Sequence, residues 1–291
     1  MRRLVENVII ALSYGSSLLT IVIFSVFLGF LVWRGFETLN LELLFGNVSP
    51  YDAIFKGIPV WDGVWPAMVG TAFLVFISCA IALPVGISAG VFLSEYSTIS
   101  RWRSSINFGV DLLAGMPSIV MGLFGFAMIM LLRSSLFPEA TTCLLLASAC
   151  IALLILPYII RTTQTALEGL PLFLRFTGAS LGFTKWQNIF FVLLPYASRG
   201  ILSGVILAIG RAAEDTAVIL LTGVVANSGL PGSLTDKFEA LPFSIFYLAA
   251  EHRTAEELNR GFGSALLLLI LTAVLFQAAN WLHGRIAKGW R

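Results

Sequence analysis

Six long apolar runs, separated by polar and charged segments, dominate the pattern of this chain. About 20 apolar residues cross the hydrocarbon core of a bilayer. The runs therefore predict spanning helices near 12–33, 67–93, 107–132, 140–160, 200–226 and 262–283. The first follows a basic start, MRRLVEN, an order shared with signal peptides. Leu18–Trp33 with its preceding residues nevertheless reaches membrane length and lacks a small-x-small cleavage site, so it is read as a retained span. Pro84 and Gly86 interrupt the second run, Gly115-Met116-Pro117 breaks the third, and Pro157 stands near the end of the fourth. Irregular backbone at membrane depth persists where protein buries it or where it lines a cavity, so each site is either a packing kink or a functional opening. Gly200 and Gly204 have the GxxxG spacing that lets helices approach closely.

The polar segments orient the spans. The N-terminus, 94–106, 161–199 and the C-terminus together carry eleven Lys and Arg residues against Glu6, Glu95 and Glu168. The opposite segments carry six basic residues and ten acidic ones. The excess of basic residues in cytoplasmic flanks predicts cytoplasmic termini. The expected organisation is a first span with its extracytoplasmic loop (1–65), a transmembrane domain (66–283) containing a cytoplasmic loop (161–199), and a short cytoplasmic tail (284–291).

Composition agrees with this reading: 58% of residues are hydrophobic, 12% are charged, and mean hydropathy is +0.91. These values exclude a soluble globular domain of this length, and a net charge of +2 gives no reason to expect a nucleic-acid partner. Cys79, Cys143 and Cys150 lie in apolar runs without CxxC spacing and read as small hydrophobes. His252 and His283 are isolated, so no metal site is expected. No HExxH, GxSxG or His-rich span suggests an intramembrane enzyme. No phosphate-cradling G-x-x-x-x-G-K-[ST] loop occurs either, so an active transporter would draw on an ion gradient or a partner's ATP.

The segment 161–199, RTTQTALEGLPLFLRFTGASLGFTKWQNIFFVLLPYASR, is too long for a bare connector and too apolar to be disordered. Its pattern predicts short amphipathic helices broken around Gly182. A second short helix would run from about Thr184, a candidate N-cap, to Leu193 and end before Pro195. Gly182 followed by nine residues and then Val192-Leu193-Leu194-Pro195 resembles the EAA-loop signature of bacterial ABC importer permeases, which inserts into a cytoplasmic ATPase. Phe176-Thr177-Gly178 stand where that signature has Glu-Ala-Ala. AGMPSIVMGLFG (114–125), GTAFLVFISCAIALPVGISAGVFLSEY (70–96), ALPFSIFYLAAE (240–251) and the stretch from Ala179 through Ala217 resemble the PstA family of phosphate-specific importers.

The resemblance implies an all-α membrane protein with six spans and the MetI-like importer permease fold, in the bacterial cytoplasmic membrane. It implies a second, PstC-like permease, a PstB-like ATPase dimer that binds the ATP and Mg, and an extracytoplasmic PstS-like phosphate-binding protein. It assigns ATPase coupling to Ala179, Gly182, Lys185, Leu194 and Pro195. A tungstate, molybdate or sulfate permease remains an alternative, as does an ATP-independent secondary transporter.

GRAAEDT (210–216) sets Arg211, Glu214 and Asp215 inside the fifth run. A charge at a bilayer centre costs about 2.5–3.5 kcal/mol on insertion scales. On a helix, i, i+3 and i+4 share a face, so Arg211 can pair with either acid and offset that cost. The cluster is either self-neutralised packing or an anion contact, since a guanidinium offers a planar fork of donors to an oxyanion. A neighbouring carboxylate would accept a hydrogen bond from protonated phosphate and repel a fully deprotonated anion such as sulfate. PstA-like chains read G-R-A-x-G-E-T-A here, which supports Arg211 and Thr216 as path residues with Asp215 in place of Glu, and leaves Glu214 where the family has Gly. Asp111, at the start of the third run, reads as an interfacial group.

Overall fold

The computed structural model describes residues 2–97, 101–135 and 138–289. Among these, regular structure is helical apart from an isolated pairing of Val224 with Phe238. Six helical segments are long and apolar enough to cross a membrane: Val5–Phe36, Trp65–Tyr96, Ser118–Ser135, Leu144–Glu168, Lys185–Glu214 and Ala255–Arg285.

The elements in chain order begin with α1 (Arg2–Phe36), followed by the short α2 (Leu41–Phe45) and α3 (Pro50–Phe55). Asn40 and Ser49 cap these two, accepting from the amides of Leu43 and Asp52. The span α4 (Trp65–Val91) ends in a π-helical turn, Phe92–Tyr96. Next come α5 (Arg101–Ala114), α6 (Ser118–Ser135), α7 (Leu144–Glu168), α8 (Leu172–Ser180) and α9 (Lys185–Asn188). A second π turn, Ile189–Leu193, joins α9 to α10 (Leu194–Glu214). The chain closes with α11 (Ala217–Thr222), α12 (Leu241–Glu251) and α13 (Ala255–Gly289).

The core lies between α4, α7, α10 and α11, around Leu74, Ile151, Ile155, Ala208, Ala212 and Ile219. Bilayer lipid offers no hydrophobic drive between helices, so close packing of small residues holds the bundle. A Cβ on Gly86 would lie 2.7 Å from Ile159, and one on Gly90 2.6 Å from Thr163, which seats α4 on α7. A Cβ on Gly200 would lie 2.6 Å from Ala166, and one on Gly204 would collide with Thr162, so the GxxxG pair packs α10 on α7. By contrast, the most apolar stretch of α1 has no buried residue. Cys79, Cys143 and Cys150 are free and buried.

Five element boundaries differ from the sequence expectation. The third run is two helices, because Pro117 lacks a donor and pushes its predecessor out of helical backbone; α5 stops at Ala114 and the span begins at Ser118. Pro84 does not interrupt its helix, since neighbours packed around it keep the backbone in place, and Pro157 stands mid-helix rather than near the end of its span. The fourth span runs on to Glu168, into the segment expected as a loop. The fifth run is not one helix to 226, because α10 stops at Glu214 and α11 restarts at Ala217. The helix after Thr184 does not end before Pro195; the π turn carries it into α10, where Pro195 occupies the first turn and needs no amide bond.

Candidate translocation and coupling sites

The break at Asp215 builds the charged cluster. Asp215 leaves helical backbone (φ −75°, ψ 115°), and its Oδ1 accepts from the amide of Val218 at 2.9 Å. It thereby caps the start of α11, where the backbone amides lack helical partners. Its other oxygen lies 3.5 Å from Arg211 Nη2, and its side chain is 2% exposed. Arg211 Nη1 donates to Glu214 Oε1 at 3.2 Å, and the Glu214 side chain is 62% exposed. The two carboxylates are thus unequal: Asp215 is fixed by two partners, while Glu214 hangs on one exposed contact. The Arg211 side chain is itself about one-third exposed, so its two acids do not cover it fully. Thr216 precedes α11 as its N-cap residue without a side-chain cap bond. Arg211 lies in the last turn of α10, about 18 Å along the helix axis from Arg199.

Packing holds this break in place. A Cβ on Gly122 would sit 2.9 Å from the Ala217 carbonyl, and one on Gly125 2.6 Å from Thr222. Hence α6 lies against α11, and the 114–125 stretch, prominent in sequence, is the bed for the element that Asp215 caps. Gly210 faces Phe276 of α13.

The 161–199 segment forms a second site at one end of the bundle. Gly182 adopts φ +77°, a backbone that L side chains rarely take, and a Cβ there would meet nothing within 4 Å. After the turn, Thr184 caps α9 in a reciprocal box, accepting from the Gln187 amide while Gln187 accepts from the Thr184 amide. Phe176, Leu181 and Trp186 are exposed around the turn. Lys185 sits with its Nζ 4.3 Å from the centre of the Tyr96 ring. Leu194 and Pro195 open α10. The side chain of Ala179 lies outside the described residues.

Several polar contacts at this end were not singled out in sequence. Arg161 on α7 donates to Asp111 (Nε, 3.1 Å) and Asn107 (Nη1, 2.8 Å) on α5, which makes Asp111 half of an ion pair between helices. Arg103 on α5 pairs with Glu168 of α7. Arg175 reaches Glu95 of the first π turn at 2.9 Å, and Asn188 donates to the Arg175 carbonyl at 3.0 Å. The signal was present in part, as an isolated Arg in an apolar helix, but only tertiary contact names its partner.

At the opposite end, a cavity of about 450 Å³ lies among 61–64, 226–239 and 243–260. Asp62, Glu239, Glu251 and Glu257 outnumber Arg253 and Arg260 along it, a poor field for an anion. Burial pushes the Glu239 carboxyl above its ordinary value of 4.5, although the Gly229 amide donates to it at 2.8 Å. No group of His, Cys, Asp and Glu among the described residues has metal-binding arrangement.

The family profile described as "Binding-protein-dependent transport system inner membrane component" matches residues 82–291. The chain belongs to this family. It is thus a transport permease subunit rather than an enzyme, a multi-pass membrane protein that works with a separate ATPase and a binding protein. The permease is 29% identical to the phosphate transport system permease protein PstA of Haemophilus influenzae over 95% of both chains. It is 32% identical to PstA of Yersinia pestis, over 84% of this chain and 78% of that one. It is 33% identical to PstA 1 of Mycobacterium tuberculosis (strain H37Rv), over 75% of this chain and 68% of that one. In fold, the permease is similar to a bacterial ABC transporter involved in import of the acidic polysaccharide alginate (TM-score 0.65, 13% identity, 94% and 96% coverage). It is also similar to the MetNI methionine ABC transporter in an inward-facing conformation (TM-score 0.51, 19% identity, 84% and 100% coverage).

Proposed function

We propose that this permease forms one half of the translocation path of an ATP-driven importer for inorganic phosphate, with Arg211 as the anion contact. The geometric observation that carries the site is a partly exposed guanidinium in the last turn of a span, between one fixed and one exposed carboxylate. The names of relatives similar over most of the chain support phosphate as the substrate. A permanently charged fork of donors suits a tetrahedral oxyanion, and Glu214 can yield its single contact to the ligand. A protonated oxyanion can donate to that carboxylate, which a fully deprotonated one cannot do. Thr216 offers a hydroxyl at the same break.

In this reading the complex is completed by a PstC-like second permease, a PstB-like ATPase dimer holding ATP and Mg, and a PstS-like extracytoplasmic phosphate-binding protein. It sits in the bacterial cytoplasmic membrane with both termini cytoplasmic. The binding protein delivers phosphate to the 34–66 and 227–261 loops. The hairpin around Gly182 docks the ATPase; it presents Phe176, Leu181 and Trp186 with Lys185 and no acid between 172 and 191, which favours apolar contact over the acidic contact of the EAA loop. ATP-driven movement of this hairpin then passes through the π turn at 189–193 into α10 and Arg211. The test is the complete complex in vesicles, with ATP hydrolysis measured against each oxyanion presented with its binding protein. Stimulation by phosphate is the expected result; stimulation by sulfate, molybdate or tungstate instead overturns the assignment.

A further inference from the structure

The side chain of Arg175 is enclosed by groups from three elements. Its Nη2 donates to Glu95 Oε1 at 2.9 Å and its Nε to Glu95 Oε2 at 3.3 Å, a two-point contact with the π turn that ends α4. The same guanidinium donates to the carbonyls of Leu167 (2.9 Å) and Leu170 (3.2 Å), at the end of α7. Leu167 lies in the last turn of α7 and Leu170 just beyond the helix end, so the guanidinium clamps the point where the helix stops. The Glu95 side chain is only 8% exposed, so it has no access to a docked protein.

A second contact fixes α8 to α9. Asn188 Nδ2 donates to the Arg175 carbonyl, and the space for its amide exists because residue 178 is glycine; a Cβ there would lie inside the Asn188 side chain. The replacement of the family's last alanine by Gly178 is thereby explained: it admits Asn188. Lys185 over Tyr96 ties the same π turn to α9. The hairpin 172–188 is therefore joined to α4 and α7 through the Arg175–Glu95 pair, the Lys185–Tyr96 contact and the apolar cluster of Leu174 with Val91 and Leu167, and to α10 through unbroken helix.

We infer that the Arg175–Glu95 pair is a mechanical joint that makes the coupling hairpin and the ends of α4 and α7 move as one body when the ATPase moves the hairpin. Arg175 and Glu95 are positioning residues; neither touches the transported anion. A displacement of α8 alone would leave a nearly buried carboxylate with the Ser94 hydroxyl but without its cation, which is unfavourable. This inference rests on the reading of 161–199 as the ATPase-docking segment.

The test uses the complete complex, with spin labels at the exposed positions Phe92 and Phe173. Distances are measured in the resting complex and in the complex trapped with ATP and vanadate, alongside transport per ATP hydrolysed. In the parent the 92–173 distance is expected to stay constant between the two states. In Arg175→Ala and in the milder Glu95→Gln it should broaden or shift on trapping, with transport per ATP falling at least fivefold and ATPase co-purification retained. Arg175→Lys, which keeps the charge but not the fork, should restore part of the coupling. Arg103→Ala, which breaks the more exposed pair with Glu168, should leave both readouts at parent values. A parent distance that changes on trapping, or full coupling in Glu95→Gln, overturns the joint. Failure of the parent to bind the ATPase overturns the docking reading instead, and a different transported anion affects neither the distances nor this inference.

Discussion

At the residue scale, the three charges in GRAAEDT have three different environments. Asp215 is committed to the α11 cap, Glu214 is exposed, and Arg211 lies between them, not fully covered by either. A hydrogen bond to a charged group contributes about 1.5–3 kcal/mol. Arg211→Ala is therefore expected to lower phosphate uptake at limiting substrate at least about tenfold, with assembly intact by co-purification. Arg211→Lys should retain an intermediate rate, because it keeps the charge and loses the fork. Glu239 gives a pH prediction. Its folded value is raised by burial, so its contribution to stability is present below the unfolded value of 4.5 and is lost as pH rises through the higher folded one. Thermal unfolding should show the parent losing stability over that rise, and Glu239→Gln should flatten the profile while keeping an acceptor for the Gly229 amide.

At the scale of elements, chain breaks matter more than helices. The break at 215–216 gives Asp215 an amide to cap, and the π turns at 92–96 and 189–193 sit where the 172–188 hairpin meets the spans. π-helical turns occur frequently at functional sites. The hairpin itself depends on Gly182. Any L residue at φ +77° carries a cost of roughly 1–2 kcal/mol, while the space around it is open. Gly182→Val should therefore leave the bundle folded but misdirect the turn, and ATPase co-purification should fall severalfold. Gly182→Asn, which tolerates left-handed backbone, should lose less. Parent-level co-purification of Gly182→Val would show that the turn does not set docking.

At the scale of the molecule, the core helices α4, α10 and α11 pack around the fourth, α7, whereas α1 leaves its most apolar stretch uncovered. Arg211 does not line the cavity at the other end, and members of this family work with partner subunits. The expected consequence is that vesicles containing this chain alone show no phosphate flux, and that flux appears only with the second permease, the ATPase and ATP. ATP-independent flux through the isolated chain would favour a secondary transporter.

Much of this was legible in the chain itself. Hydropathy located all six spans, because a spanning helix must be apolar over its whole length whatever its neighbours. Gly182 and Thr184 marked the turn and the cap, since both are local backbone requirements, and the GxxxG pair marked a packing face. The boundaries that moved were those set by neighbours: Pro84 breaks nothing because packing around it holds the helix, whereas Pro117 stands at a real break. Periodicity alone placed Arg211, Glu214 and Asp215 on one continuous face. Both pairings of Arg211 are present, and only the tertiary structure made the two acids unequal, by ending α10 at Glu214 and seating α11 against Gly122 and Gly125. The partners of Arg161 and Arg175 were likewise decided in space, because an ion pair between residues 50 or 80 positions apart leaves no local signature. Sequence by itself determined what must lie in the membrane and where the backbone must turn; tertiary structure decided which charges meet, because that depends on how the helices pack.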